Sequence, residues 1–292
     1  MRGGLGDAAI ESQANQKVRK VTSDPNVRRN DRVTKSRSVE DHFIPKPSPH
    51  WVRLILGHGE IERGEDTLRF VLEPASTERI SDAQIHDYAG PRSRCFQWYP
   101  PLTMLVRARF SHPAPAFAGT AGFGFWNNPF TLDGEVIAPP NNAWFFYASP
   151  PSAMELVPDV PGWGWKAAVL DGGNLPGPAM KLAQVLLRLP LLVRPLARLA
   201  RTRIRAAEAL LPHELTSWHT YELHWRKKDC TFLVDGEQVL TTPCTPTPPL
   251  GFVAWADNQY AVAHPDGGFD FGRVAVLQRQ WLELDLVVIQ AP

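Results

Sequence analysis

The chain has 292 residues, 43% of them hydrophobic and 21% charged, so it can bury a sizeable core, and its length suits one long β domain with appendages. The formal net charge of +1 hides an asymmetry: residues 1–47 carry ten Lys or Arg against six Asp or Glu, and the remainder carries 21 against 24. A folded part this close to neutral argues against nucleic acid as partner, and three cysteines without C-x-x-C spacing argue against a disulfide framework or a zinc site.

Taken from the start, residues 1–47 are polar, mixed in charge and without strand or helix period, which predicts a disordered N-terminal arm. No apolar run is long enough for a signal peptide or a membrane span, so the expected location is the cytoplasm. The β domain is expected over 48–292.

From Trp51 onward the apolar period becomes two. Leu68, Phe70 and Leu72 share one face; Leu102, Met104, Val106, Ala108 and Phe110 alternate with Thr103, Arg107 and Arg109. The same reading predicts strands over 120–126, 143–149, 165–170, 218–226, 230–234, 251–256 and 281–289. Asp235 and Gly236, between two apolar runs, predict a tight hairpin because both tolerate positive φ. Many strands separated by Pro- and Gly-rich turns predict an all-β antiparallel sandwich or barrel.

One segment breaks this pattern. Residues 177–212 are rich in Leu, Ala and Arg, hold Glu208 as their one acid, and read as a helical insertion interrupted at Pro190 and Pro195. The insertion is either a hairpin packing its Leu face on the sandwich, or a lid or interfacial anchor whose Arg188, Arg194, Arg198, Arg201 and Arg205 meet an anionic membrane surface. The second reading makes the protein membrane-peripheral.

The run from Trp218 through His219, Tyr221 and Trp225, followed by Phe232, Val234, Asp235 and Gly236, resembles the W-H-x-Y-x-x-x-W and F-x-V-D-G strands of glycoside hydrolase family 16. The stretches 81–88 and 252–260 look like those of uncharacterised bacterial proteins of the same concanavalin A-like lectin and glucanase superfamily. The resemblance spans about residues 55–290 outside the insertion and implies a jelly-roll sandwich. Family members carry E-x-D-x-x-E, one Glu acting as nucleophile and another as acid/base, on a strand shortly before the W-H-x-Y segment. The corresponding stretch here, Asn141–Ser149, has no carboxylate. Acids two apart occur at Glu60 and Glu62 and at Glu283 and Asp285, but both pairs read as solvated surface.

The candidate lining is aromatic and amide-rich: Trp126, Asn127, Asn128, Trp144, Tyr147, Trp255, Asp257, Asn258 and Tyr260, with Gln84 and Asp87 from a polar cluster that also holds Asp82 and His86. Flat aromatic faces stack on sugar rings while amides and carboxylates take hydroxyls. The cluster has no established metal-ligand spacing, and no cofactor is expected. The expected function is binding of a saccharide, glycolipid or other amphiphilic small molecule without family 16 catalysis. The competing readings are an enzyme with a rearranged acid/base set drawn from Asp87, Asp257 and Asp171, and a membrane-surface protein acting through the insertion.

Overall fold

The computed structural model describes residues 37–44, 46–88, 95–129, 137–174, 203–263 and 269–292. Seventeen strands run through them: β1 (Ser38–Asp41), β2 (Val52–Gly57), β3 (Gly59–Arg63), β4 (Leu68–Leu72), β5 (Ser81–His86), β6 (Leu102–Phe110), β7 (Thr120–Trp126), β8 (Asn141–Ala148), β9 (Gly164–Asp171), β10 (Arg205–Leu210), β11 (His219–Trp225), β12 (Cys230–Val234), β13 (Glu237–Thr242), β14 (Gly251–Asp257), β15 (Gln259–Ala263), β16 (Phe269–Arg273) and β17 (Gln280–Gln290).

They build two antiparallel sheets. The eight-stranded sheet runs β13-β12-β11-β6-β17-β4-β3, with β1 also paired to β17; the seven-stranded sheet runs β10-β9-β8-β7-β14-β5-β2. β15 and β16 form a separate hairpin. Alternation decides which side chains meet between the sheets. Met104, Val106, Tyr221, Leu223, Trp225, Phe232, Leu282 and Leu284 come from the eight-stranded sheet, and Phe123, Phe125, Phe145, Trp165, Phe252 and Ala254 from the other. The aromatic strand that carries the family resemblance therefore has the plain structural role of filling the core, where truncating a ring such as that of Trp225 costs roughly 3–5 kcal/mol. Asp235 and Gly236 turn the chain at φ 51° and 83°, as the hairpin requires. His219 bridges the Asp235 carboxylate at 2.6 Å and the Glu214 carbonyl at 2.9 Å, clamping the same corner.

Four expectations change. Ser38–Asp41, assigned by sequence to the arm, is a strand registered on Val287–Gln290, and Asp41 accepts hydrogen bonds from the Phe43 and Ser48 amides and the Trp51 indole. Ser81–His86, which the sequence shows only as a polar cluster and not among the expected strands, is a strand inside the seven-stranded sheet. Arg205–Leu210, the end of the expected helical insertion, is an edge strand on β9, and Arg205 pairs with Asp171 at 2.5 Å. Residues 177–202 of that insertion lie outside the described residues, as do 1–36 of the arm. No helix among the described residues is long and apolar enough to cross a membrane. Finally, Glu283 is not solvated: β17 lies inside its sheet, and the carboxylate is 1% exposed between Arg69 and Arg109, at 2.8 Å from each.

Candidate functional site

Because β7, β8 and β14 alternate, the side chains that do not enter the core stand on the outward face of the seven-stranded sheet. Register aligns them in rows. One row runs Ala206, Leu170, Asn142, Trp126, Gly251; the next Glu208, Ala168, Trp144, Gly124, Val253, His86, Val52; the third Leu210, Lys166, Phe146, Gly122, Trp255, Gln84, Leu54. A fourth row brings Ala148, Thr120, Asp257, Asp82 and Leu56 together.

Four rings gather at the middle of this face. Trp144 lies 5.2 Å from Trp255, 6.1 Å from Trp126 and 5.4 Å from Phe146, with which it stacks at 17°. Phe146 lies 6.0 Å from Trp255. The glycines of β7 make room for them. A Cβ on Gly122 would stand 3.0 Å from the Trp255 ring and 2.3 Å from the Phe145 carbonyl oxygen, and one on Gly124, at φ 150°, 2.5 Å from the Trp144 backbone. The rings thus lie down on bare backbone as a platform. Trp126, Trp144, Phe146 and Gln84 are part-exposed. At the platform's edge the Trp126 indole donates to the Tyr88 hydroxyl at 2.6 Å, and the Tyr88 ring stacks on His86 at 4.2 Å.

Polar groups around the platform fall into two kinds. Lys166 and Glu208 are a buried ion pair at 2.9 Å, and Glu208 also accepts the Leu156 and Val157 amides, so this pair fixes the loop between β8 and β9. Its charges are already matched. Asp82, His86 and Asn142, by contrast, are each 6–7% exposed, and among the described residues Asp82 Oδ1, His86 Nδ1 and Asn142 Oδ1 have no hydrogen-bond partner. Buried polar atoms left so cost of order 1–3 kcal/mol each.

Asp82 and Asp257 are direct register partners on β5 and β14. Asp257 accepts from the Thr120 hydroxyl at 2.9 Å and the Gln259 amide at 2.8 Å. Burial pushes the Asp257 carboxyl up to about 6 despite these bonds. Burial and then the Asp257 charge push Asp82 well above the ordinary range. Burial also drives His86 down to about 4, so its imidazole is neutral at neutral pH.

The residues singled out from the sequence divide accordingly. Trp126, Trp144, Trp255, Asp257 and Gln84 stand together on the outward face. Tyr147 does not: three residues from Trp144 on one strand, it faces the core at 1% exposure and donates to the Phe117 and Ala114 carbonyls. Asn127 pins a loop by donating to the Pro139 carbonyl and accepting the Asn141 amide; Asn128 follows the strand at φ 42°. Asn258 is fully buried, bonded to Ser81, Arg79 and Val274. Tyr260 lies on the β15–β16 hairpin over Gly272. Asp87 points away from Asp82 and accepts from Gln97, Trp98 and the Phe252 amide, while Asp171 holds Arg205 and Thr247. The three acids proposed as a rearranged set are therefore not one cluster. Phe146, His86, Asn142 and Asp82 join the face without having been in the expected lining, and period two from Trp144 points to Phe146 and Asn142 directly.

No protein-family model matches the chain, and no curated protein matches it. Solved structures that it is similar to include a GlcNAcα1-4Gal-releasing endo-β-galactosidase from Clostridium perfringens, at 13% identity and TM-score 0.49, covering 89% of this chain and 63% of that one. A Bacillus licheniformis β-glucanase matches at 13% identity and TM-score 0.48, over 87% of this chain and 98% of the other. The carbohydrate recognition domain of Emp47p matches at 12% identity and TM-score 0.47, over 89% and 99%.

Proposed function

We propose that the outward face of the seven-stranded sheet binds a saccharide or a similarly amphiphilic small molecule, without family 16 catalysis. The observation that carries this reading is the platform of Trp126, Trp144, Phe146 and Trp255 laid on the glycines of β7, beside buried polar atoms that lack partners. A sugar ring offers an apolar face to such a platform and hydroxyls to the polar atoms around it, and each stacked ring contributes on the order of 1 kcal/mol beyond area burial. The strand that would bear the family's acids, β8, presents Asn142, Trp144 and Phe146 outward instead.

Titrating the pure chain with a panel of oligosaccharides while following tryptophan fluorescence tests the reading directly. Binding with a change in emission is expected, and Trp144→Ala, with its fold verified by circular dichroism, is expected to weaken it about tenfold or more. A panel without a binder, or a Trp144→Ala variant that binds as the parent does, defeats it. No reducing ends are expected from laminarin or lichenan.

A further inference from the structure

We infer that the ligand received on this face carries a protonated primary amine, as an amino sugar does, and that the carboxyl pair Asp82–Asp257 binds it. The inference rests on the saccharide reading above and names the class of sugar.

The first argument is charge matching. Like charges placed directly opposite on paired strands destabilise a sheet, because same-face partners bring their Cβ atoms to about 4.5–5.5 Å. Here two carboxyls occupy such positions, and among the described residues neither has an ion-pair partner. Among the described residues their surroundings supply no cation. Thr120 on β7 and Leu56 on β2 stand beside them in the row, Gln259 follows Asp257 at the turn, and Gln84 and Trp255 occupy the next row. Lys166, the cation of the third row, is committed to Glu208. His86, two residues beyond Gln84 on the same face of β5, is neutral.

The second argument is the unfilled valence. Asp257 uses its oxygens on Thr120 and Gln259, but Asp82 Oδ1 is buried and receives nothing from the described residues. An ammonium brings three donors and one positive charge to acceptors that lack both. The neighbouring aromatic faces favour the same sign, since the ring quadrupole of Trp255 attracts a cation and repels an anion. A hydroxyl donor would satisfy the orphaned oxygen yet leave the pair's charge unmatched, and a ligand carboxylate or phosphate would add to the repulsion.

Charge-assisted bonds contribute about 1–2 kcal/mol more than neutral ones, so an oligomer of glucosamine should bind about tenfold tighter than a gluco-oligosaccharide of equal length. The experiment is calorimetric titration of the full chain at neutral pH with three oligomers of one length: glucosamine, N-acetylglucosamine and glucose. The expected order has glucosamine clearly ahead of both others. In Asp82→Asn, which keeps the shape and removes the charge, the preference should shrink to within about twofold. Equal affinity of the three for the parent chain, or a preference that survives Asp82→Asn intact, overturns the amine inference while the saccharide reading stands. Binding of none of them overturns the amine inference, and the wider oligosaccharide panel then decides the saccharide reading separately. The comparison among oligomers needs no variant, so it holds even if Asp82→Asn does not fold.

Discussion

The outward faces of the two sheets use the same residue types to opposite ends. On the eight-stranded sheet, register lines up Glu62, Arg69, Glu283 and Arg109 across four strands, so that charge alternates along the row. Glu283 accepts from Thr67, Arg69 and Arg109 at 2.8–2.9 Å, and the arginines lie over aromatic rings, Arg69 on Trp281 at 5.2 Å and Arg109 on Trp218 at 4.7 Å. On the seven-stranded sheet the equivalent row sets Asp82 opposite Asp257, and the aromatic rings lie on one another rather than under cations. The first face compensates Glu283, although Asp285 Oδ1 on it is also without a hydrogen-bond partner among the described residues. The other holds acids, a neutral imidazole and an amide without partners among the described residues, the feature on which the proposed ligand site rests.

The largest effect separating the faces is expected at Glu283. Burial alone would raise its carboxyl, but hydrogen bonds from Arg109, Thr67 and Arg69 outweigh burial and hold it below the ordinary range. Glu283→Gln should destabilise the fold by about 2–3 kcal/mol at neutral pH in urea unfolding, near the lower end for a broken buried pair because both arginines stay part-exposed. Its folded-state pKa is depressed, so this contribution is present above the unfolded value and is lost as pH falls through the folded one. The difference between parent and variant should therefore close in acid. A variant as stable as the parent at neutral pH would remove the ladder's role.

A smaller effect is expected at Gly122. Alanine there brings a Cβ against the Phe145 carbonyl and the Trp255 ring, so the strand or the ring must shift. The expected cost is about 1–3 kcal/mol, typical of overpacking, together with a changed tryptophan emission. Emission and stability both unchanged would show that the platform does not depend on bare backbone beneath it.

How much of this contrast is visible in the sequence depends on the separation it involves. Strands 102–110 and 120–126 declare themselves through apolar period two, and the Asp235–Gly236 turn through its residues. Arg205–Leu210 hides because Arg, Ala, Glu and Leu are helix formers; pairing along β9 overrides that propensity. Ser81–His86 hides because its inward residues, Ala83 and Ile85, are few, and its outward ones are polar. The placement of Tyr147 with Trp144 breaks the period-two rule itself, since residues three apart on a strand face opposite ways. The pairing of Asp82 with Asp257 is a different matter. It depends on β5 lying beside β14 and on their register, which no local pattern specifies.

That pairing sets the smallest effect and the one of opposite sign: Asp82→Asn should stabilise the protein. In the folded chain both carboxyls titrate above the unfolded value of 3.8, Asp257 at about 6 and Asp82 raised by burial and by the Asp257 charge. Between those values the folded state holds protons that the unfolded state has released, so stability falls as pH rises from about 4 through 6 and beyond. Removing Asp82 removes its own buried charge and relieves Asp257 of a like neighbour. The gain should be on the order of 1–2 kcal/mol at neutral pH and should vanish at about pH 2, well below the unfolded value, where both acids are protonated in either state. His86 pulls the other way in the parent. Its folded pKa of about 4 lies below the unfolded 6.5, so its contribution is lost as pH falls through that window. Subtracting the variant's pH profile from the parent's cancels His86 and isolates the acid pair. A gain that is flat with pH would mean that Asp82 acts through packing and not through charge; a loss at neutral pH would mean that Asp82 is compensated in the free protein, and the contrast between the two faces would disappear.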